Sequence, residues 1–309
     1  MAKPGTDGRS DPKRTNLAKP VTLLDVLRDG FRPGPPDEAK ARRLFALRAL
    51  LAPKVAVAWA RYIAQVHERV GAPQPPARVL GKPLRSYLKG GWSPKRRLEA
   101  LLDHSRRESA LLNAETTGAL LAGEVFELAS LAARKSSLYR LELSASFVQT
   151  TQREGEWVIV LTRQGDDFPL TKLTLSLSGE AGGALVIGGL QGPQAGRKRA
   201  VIDATRELHG LRPKDAALLG ARALARAMGG LTVLAVGDAT HVLGRMQDVD
   251  KVSIYDAYWR ERGATDDPAF GFRFPALESN AGTDGRTRMK AAIIEGVEAF
   301  VARAMTGPT

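Results

Sequence analysis

His209, His241, Asp238 and Asp256 are the side chains of this sequence best suited to move a proton, and the glycine-rich turn after Ile187 is best suited to hold an anion. An imidazole titrates near pH 6.5, which suits removal of a proton from an amine. His209 precedes Gly210, so it also fits the C-terminal cap of a helix, where the dipole favours a cation. Asp238 and His241 follow the apolar run LTVLAVGD, at the carboxyl end of a central strand, where open sheets bind ligands. An Asp–His pair at that spacing can serve as a base and its orienter. Tyr255, Tyr258 and Trp259 share one helical face and read as core. Asp256 lies off that stripe and is the member of the helix left for chemistry. No serine or cysteine nucleophile stands near these groups, which argues against a hydrolase triad.

The anion site is read from GALVIGGLQGPQAGRKRAVIDATRELHG, Gly183 to Gly210. An apolar run leads into Gly188, Gly189, Gly192 and Gly196, then Arg197, Lys198 and Arg199, then a helical pattern. Strand, glycine turn and helix together aim backbone N–H groups and a positive helix end at one point. Gln191 and Gly192 could present an amide and a bare N–H to a phosphate or carbonyl, or Gln191 could simply tie the turn together. Three cations at a helix start oppose the helix dipole. A bound anion would supply the reason for them; a solvated face is the alternative. Arg212 could hold a carboxylate or phosphate bidentately, or satisfy the preceding helix end. The turn has neither a GKS/T nor an in-register GxGxxG.

The elements that must position these groups follow from periodicity. Residues 1–20 are polar, basic and turn-rich and read as a disordered basic arm. Residues 21–136 read as a helical region, with Ser93-Pro94 as an N-cap followed by proline at the first helical position. A last helix of that region runs from about Ala114 to Lys135. Near Leu138 the period becomes alternating: LYRLELSASFV, EWVIVLT and KLTLSLSG are strands, the last with one wet face. ALVIG is continuously apolar, as for a strand buried on both faces. Residues 137–309 thus form a mixed, largely antiparallel sheet with flanking helices, ending in the amphipathic helix RTRMKAAIIEGVEAFVARAM. The fold class is α+β.

Composition limits the chemistry. The absence of cysteine excludes thiolate nucleophiles, disulfides and Cys-ligated zinc. The four histidines lack metal-ligand spacing. The net charge of +13 favours nucleic acid, anionic lipid or phosphorylated small molecules. No apolar run reaches the roughly 18–20 residues of a spanning helix, and the first 20 residues lack the apolar stretch of a signal peptide. A cytoplasmic protein is expected, with peripheral contact at the inner membrane as a variant of that reading.

IGGLQG, TRELHGLRPK, LAVGDATHVL, IYDAYWRERGA and FRFP occur in this order and resemble the bacterial VirK/YbjX-like family, over roughly Val21 to Leu277. That family is of unknown function, and the resemblance implies a role in virulence, outer-envelope integrity and resistance to cationic peptides rather than a reaction. The order of elements from Leu138 also resembles the GNAT superfamily of N-acetyltransferases. Its phosphate motif would place Gln191 and Gly196 at the outer positions, with Gln194 where the first glycine is expected. AYWRERGA would place Tyr258 where these enzymes keep the tyrosine that protonates the leaving thiolate, with Ala264 where an aromatic is expected. The likeness implies an acyltransferase that needs no resident cofactor. Its donor would be acyl-CoA or an aminoacyl-tRNA, held at Gly188 to Lys198, with the acyl arm beside Gly189. His209 or His241 would take the proton of a small-molecule or peptide acceptor. A protein seated on anionic membrane through its basic surface and C-terminal helix is the rival expectation.

Overall fold

The computed structural model describes residues 21–242, 255–277 and 283–305. The basic arm lies outside them. Six helices come first: α1 (Leu23–Gly30), α2 (Pro36–Ala49), α3 (Pro53–Val70), α4 (Ala77–Leu80), α5 (Pro94–Leu111) and α6 (Ala114–Ala122). Their ends follow local chemistry. The Ser93 hydroxyl accepts from Arg96 N at 3.2 Å, with Pro94 at the first helical position, as expected of that dipeptide. Gly71 stops α3 in the left-handed conformation, φ +66°.

The sheet follows: β1 (Val125–Ala132), β2 (Leu138–Ala145), β3 (Trp157–Arg163), β4 (Thr171–Ser178) and β5 (Ala184–Gln191). Then come α7 (Lys198–Glu207), α8 (Pro213–Ala227), β6 (Thr232–Val236), α9 (Tyr255–Glu261), β7 (Thr265–Asp267), β8 (Gly271–Arg273) and α10 (Gly285–Ala304). The strand order is β1-β2-β3-β4-β5-β6-β8-β7. Among the described strands every pairing is antiparallel except β5 with β6. The α+β class with a mixed, largely antiparallel sheet is therefore observed.

Two expectations are corrected. The helix expected from Ala114 to Lys135 ends at Ala122, and Val125–Ala132 is strand β1, paired with β2. The face of β4 expected to be wet is dry. Thr174 is buried against Glu154 of the β2–β3 loop, and Ser176 under the N-terminal layer, with Tyr87 Oη 2.9 Å from Ser176 Oγ and the imidazole of His104 accepting from Leu177 N. The sheet thus has helices on both faces. Helices α8 and α10 close one core with Leu141, Ile159, Leu173 and Ile187, while Trp59, Ile63 and Leu101 close the other with Val186, Leu234 and Val236.

Several buried polar side chains are paired across elements, which offsets their desolvation. Trp157 Nε1 donates to Glu108 at 2.7 Å, and Lys82 donates to both oxygens of Glu156 at 2.8 Å. No helix among the described residues is long and apolar enough to cross a membrane.

His67 on α3 is buried, and its Nδ1 meets the Pro73 carbonyl. Burial holds its pKa below the ordinary 6.5, against the opposing effect of that bond. A group whose folded pKa is depressed favours unfolding once the unfolded chain begins to take up its proton. Stability should therefore fall as pH drops below about 6.5, and His67→Gln should flatten that fall in thermal melts across pH 5–7.

Candidate functional site

The parallel pairing of β5 with β6 runs from Ala184↔Thr232 to Ile187↔Ala235. Beyond it β5 continues to Gln191 while β6 ends at Val236, so the strands part at Gly188 and Gly189. The register of β4 against β5 shifts at the same place: Leu175 faces Ile187 and Thr174 faces Gly189, which leaves Gly188 as the extra residue of a bulge.

The buried carboxylate of Glu154 sits on this wedge. A Cβ on Gly188 would lie 1.7 Å from the Glu154 carbonyl oxygen, and one on Gly189 would lie 2.1 Å from its Oε2. The backbone of β5 is thus packed so closely that only glycine fits. Gln191 Nε2 donates to both carboxylate oxygens at 2.9 Å, and Thr174 Oγ1 donates to Oε2 at 3.4 Å. His241 Nε2 lies 3.5 Å from Oε1. The His241 ring packs on Tyr255, centroids 5.1 Å apart, and the Tyr255 hydroxyl accepts from Leu190 N at 3.2 Å on the edge of β5 that β6 no longer covers.

Two loops set this geometry. The β2–β3 loop is pinned by Thr151 N to Ser146 O, Glu154 N to Thr151 O and the Ser146 hydroxyl to Gly155 O. After β6 the chain makes one tight turn, with Thr240 N and His241 N both donating to Gly237 O. Gly90 N donates to Thr240 O and straps the turn to the N-terminal layer.

The other expected groups lie in separate places. Asp238 and Asp256 brace one another: Asp238 accepts from the backbone N–H groups of Tyr255 and Asp256, and Asp256 accepts from Asp238 N at 2.8 Å. Asp238 thereby fixes α9 rather than His241. His209 has φ +54° at the end of α7, where Gly210 N bonds Thr205 O. Its Nδ1 accepts from Arg134 Nε at 3.2 Å, and its ring rests on Gly285 of α10. The backbone of His209 and Gly210 thus ends α7, while the ring meets Arg134 and α10 and lies apart from the wedge.

The turn Gly192 to Lys198 is exposed, apart from a half-buried Pro193, and Gly196 has φ +86°. Two cations of the turn and the start of α7 have internal partners: Arg197 stacks on Phe168 at 4.0 Å and Arg199 pairs with Asp203 at 3.0 Å. The first turn of α7 carries no acidic residue and its N-cap makes no side-chain bond.

Lys214 flanks this turn, its Cε 3.8 Å from where a Cβ on Gly192 would sit. Burial, then the charge of Arg262, lowers its pKa. Nearby, Tyr258 donates to Asp215 at 2.8 Å beneath the Arg262 guanidinium, and Arg212 lies 3.6 Å from Glu261. Burial and the Asp215 charge push the Tyr258 phenol far above its ordinary range. Tyr258→Phe should cost about 1 kcal/mol in denaturant unfolding, because Asp215 retains Arg262 at 2.6 Å.

The structure therefore gathers Gly189, Gln191 and His241 around a carboxylate that no motif announced, and places Lys214 by the turn. Glu154 lies in a segment that reads only as a strand connection, so nothing local marks it. Lys214 was visible in the RPK of TRELHGLRPK but carried no pattern of its own.

No solved structure matches the chain, so the likeness to the acyltransferase fold rests on element order. The uncharacterized protein YbjX of Escherichia coli (strain K12) is 28% identical over 272 residues, covering 84% of this chain and 80% of that protein. A family described as a protein of unknown function, DUF535, matches residues 35–281. The order of the five motifs and the extent of that match agree, and the chain belongs to the DUF535 family.

Proposed function

We propose that this protein transfers an acyl or aminoacyl group from a phosphate-bearing carrier to an amine or hydroxyl. The observation that carries the reading is the buried Glu154–His241 pair at the point where the single described parallel strand pair opens. In the proposed reaction His241 takes the proton as the acceptor nitrogen or oxygen attacks the donor carbonyl carbon. Glu154 orients the imidazole and stabilises its charged form. The tetrahedral oxyanion would draw on backbone N–H groups near Gly188 and Gly189. Its collapse breaks the bond to the carrier sulfur or oxygen, and His241 returns the proton to that leaving atom. Entry of the donor along β5 would displace the Tyr255 hydroxyl from Leu190 N. The carrier phosphate would lie at Gly192 to Lys198, with Lys198 and Lys214 as its cations.

The test is label transfer. Full-length protein is incubated with radiolabelled acetyl-CoA, or with charged aminoacyl-tRNA, plus small amines and a peptide. One donor should give labelled product, and His241→Ala should lower the rate by about 10²–10⁴-fold. Binding of tRNA would weaken steeply with salt and binding of CoA only slightly. No transfer from either donor, together with full function of His241→Ala in a deletion strain, would sink the reading.

One observation favours peripheral membrane contact instead. Phe31, Leu47, Leu50 and Leu51 are exposed near Lys40, Arg43 and Lys54 in the sequence of α1 to α3, with Leu51 88% exposed. The C-terminal helix is not available for this role: Met289, Ile293, Val297, Phe300 and Val301 are buried in the core. Flotation with acidic vesicles, lost in Leu47→Ser and Leu51→Ser, would favour this second reading.

A further inference from the structure

Apart from the wedge, a recess of about 380 Å³ is lined by Arg48, Leu84, Arg85, Ser86, Arg97 and Arg153. The arginines come from four segments: the last turn of α2, the turn before Tyr87, the first turn of α5, and the β2–β3 loop. No carboxylate lines the recess. Among the described residues none of the four guanidinium groups is ion-paired with an acidic side chain. Arg97 Nη1 reaches Pro83 O at 3.4 Å, while the Nε atoms of Arg97 and Arg153 are buried without a hydrogen-bond partner.

Four like charges in one half-buried concavity repel, and no acidic side chain offsets them. Burial, then the charges of Arg153 and Arg48, lower the pKa of Arg85, which agrees with their closeness. The backbone holds this arrangement rigidly. Leu88 N donates to Arg153 O, Arg85 N to Lys82 O and Arg97 N to Ser93 O. The volume equals that of roughly a dozen waters, more than one phosphate fills.

We propose that Arg48, Arg85, Arg97 and Arg153, with the Ser86 hydroxyl, form a binding site for a phosphate-bearing ligand. The planar guanidinium fork suits phosphate oxygens, and a dianion supplies the counter-charge that the recess lacks. This site is separate from the turn at Gly192. It stands whether or not the wedge transfers acyl groups.

Pyrophosphate is the probe, titrated into full-length protein by calorimetry and thermal melts at constant ionic strength. Saturable binding and a rise in Tm are expected, with affinity falling by tenfold or more in Arg85→Gln and in Arg153→Gln. Arg303→Gln, at the exposed end of α10, makes the same charge change and should bind as wild type. Without pyrophosphate, Arg85→Gln should melt at or above the wild-type temperature, because repulsion is relieved. Vesicles of phosphatidic acid, against phosphatidylcholine, separate the sources of the phosphate. Vesicle binding that pyrophosphate competes away identifies a lipid headgroup; pyrophosphate binding with no vesicle binding identifies a free phosphate compound. The proposal is overturned if sodium chloride reproduces the Tm rise, if Arg303→Gln loses as much affinity as Arg85→Gln, or if pyrophosphate does not bind.

Discussion

Gly188→Ala is expected to cost about 3 kcal/mol or more, a fall in Tm of about 6–12 °C for a domain of this size. No other described glycine leaves less room. A methyl there would sit 1.7 Å from the Glu154 carbonyl oxygen and 2.8 Å from Leu88 Cδ1. The first of these is backbone, held by the pinned β2–β3 loop, so relief requires the loop or the bulge to move. Gly192→Ala is the internal control, since its nearest neighbour is the flexible Lys214 stem at 3.8 Å; it should melt within about 2 °C of wild type. Equal melting of the two variants would mean that the loop yields and the close packing at the wedge is incidental.

Glu154→Gln should separate stability from activity. Gln191 donates to both carboxylate oxygens and Thr174 to one of them. A glutamine there has a single acceptor oxygen, and it must turn that oxygen toward the Gln191 amide. Its NH2 group then has to face Thr174 or His241. Presented to His241, a donor replaces an acceptor and favours the wrong imidazole tautomer. Under the proposed reaction, transfer should fall about 10²–10⁴-fold, while denaturant unfolding shifts by about 1 kcal/mol or less, since a buried charge is removed along with its partner contacts. A rate within threefold of wild type would remove Glu154 from the mechanism.

Much of the scaffold was legible in local pattern. Ser93-Pro94 marked the start of α5, the unbroken apolar run of β5 marked a strand covered on both faces, and the spacing of Ile293, Val297 and Phe300 marked the buried face of α10. Strand β1 was not legible. Its residues Glu127, Leu128, Ala129 and Leu131 are good helix formers, and the bulge between Glu127 and Ala129 breaks the two-residue period. The dryness of β4 was hidden for a different reason, because Tyr87 and His104, which meet Ser176 and Leu177, come from far earlier in the chain.

The site divides the same way. His241, Gln191 and the glycine pair were found because a strand end and a glycine turn have sequence signatures. Glu154 was not, since its partners stand 20, 37 and 87 positions away. Asp238 was singled out after a strand end and Asp256 on a helix, both for chemistry, but their carboxylates bond the backbone that joins β6 to α9.

The end of α10 is fastened to the junction of α5 and α6: Asn113 N donates to Ala304 O, Asn113 Nδ2 to Arg303 O, and Leu112 bridges Met305. The last helix therefore buckles shut against the first half of the polypeptide, like a belt whose tongue returns to its own start. Removing Arg303 to Met305, or expressing the sheet half without the α5–α6 junction, would leave that buckle open, so both halves of the polypeptide belong in any working piece.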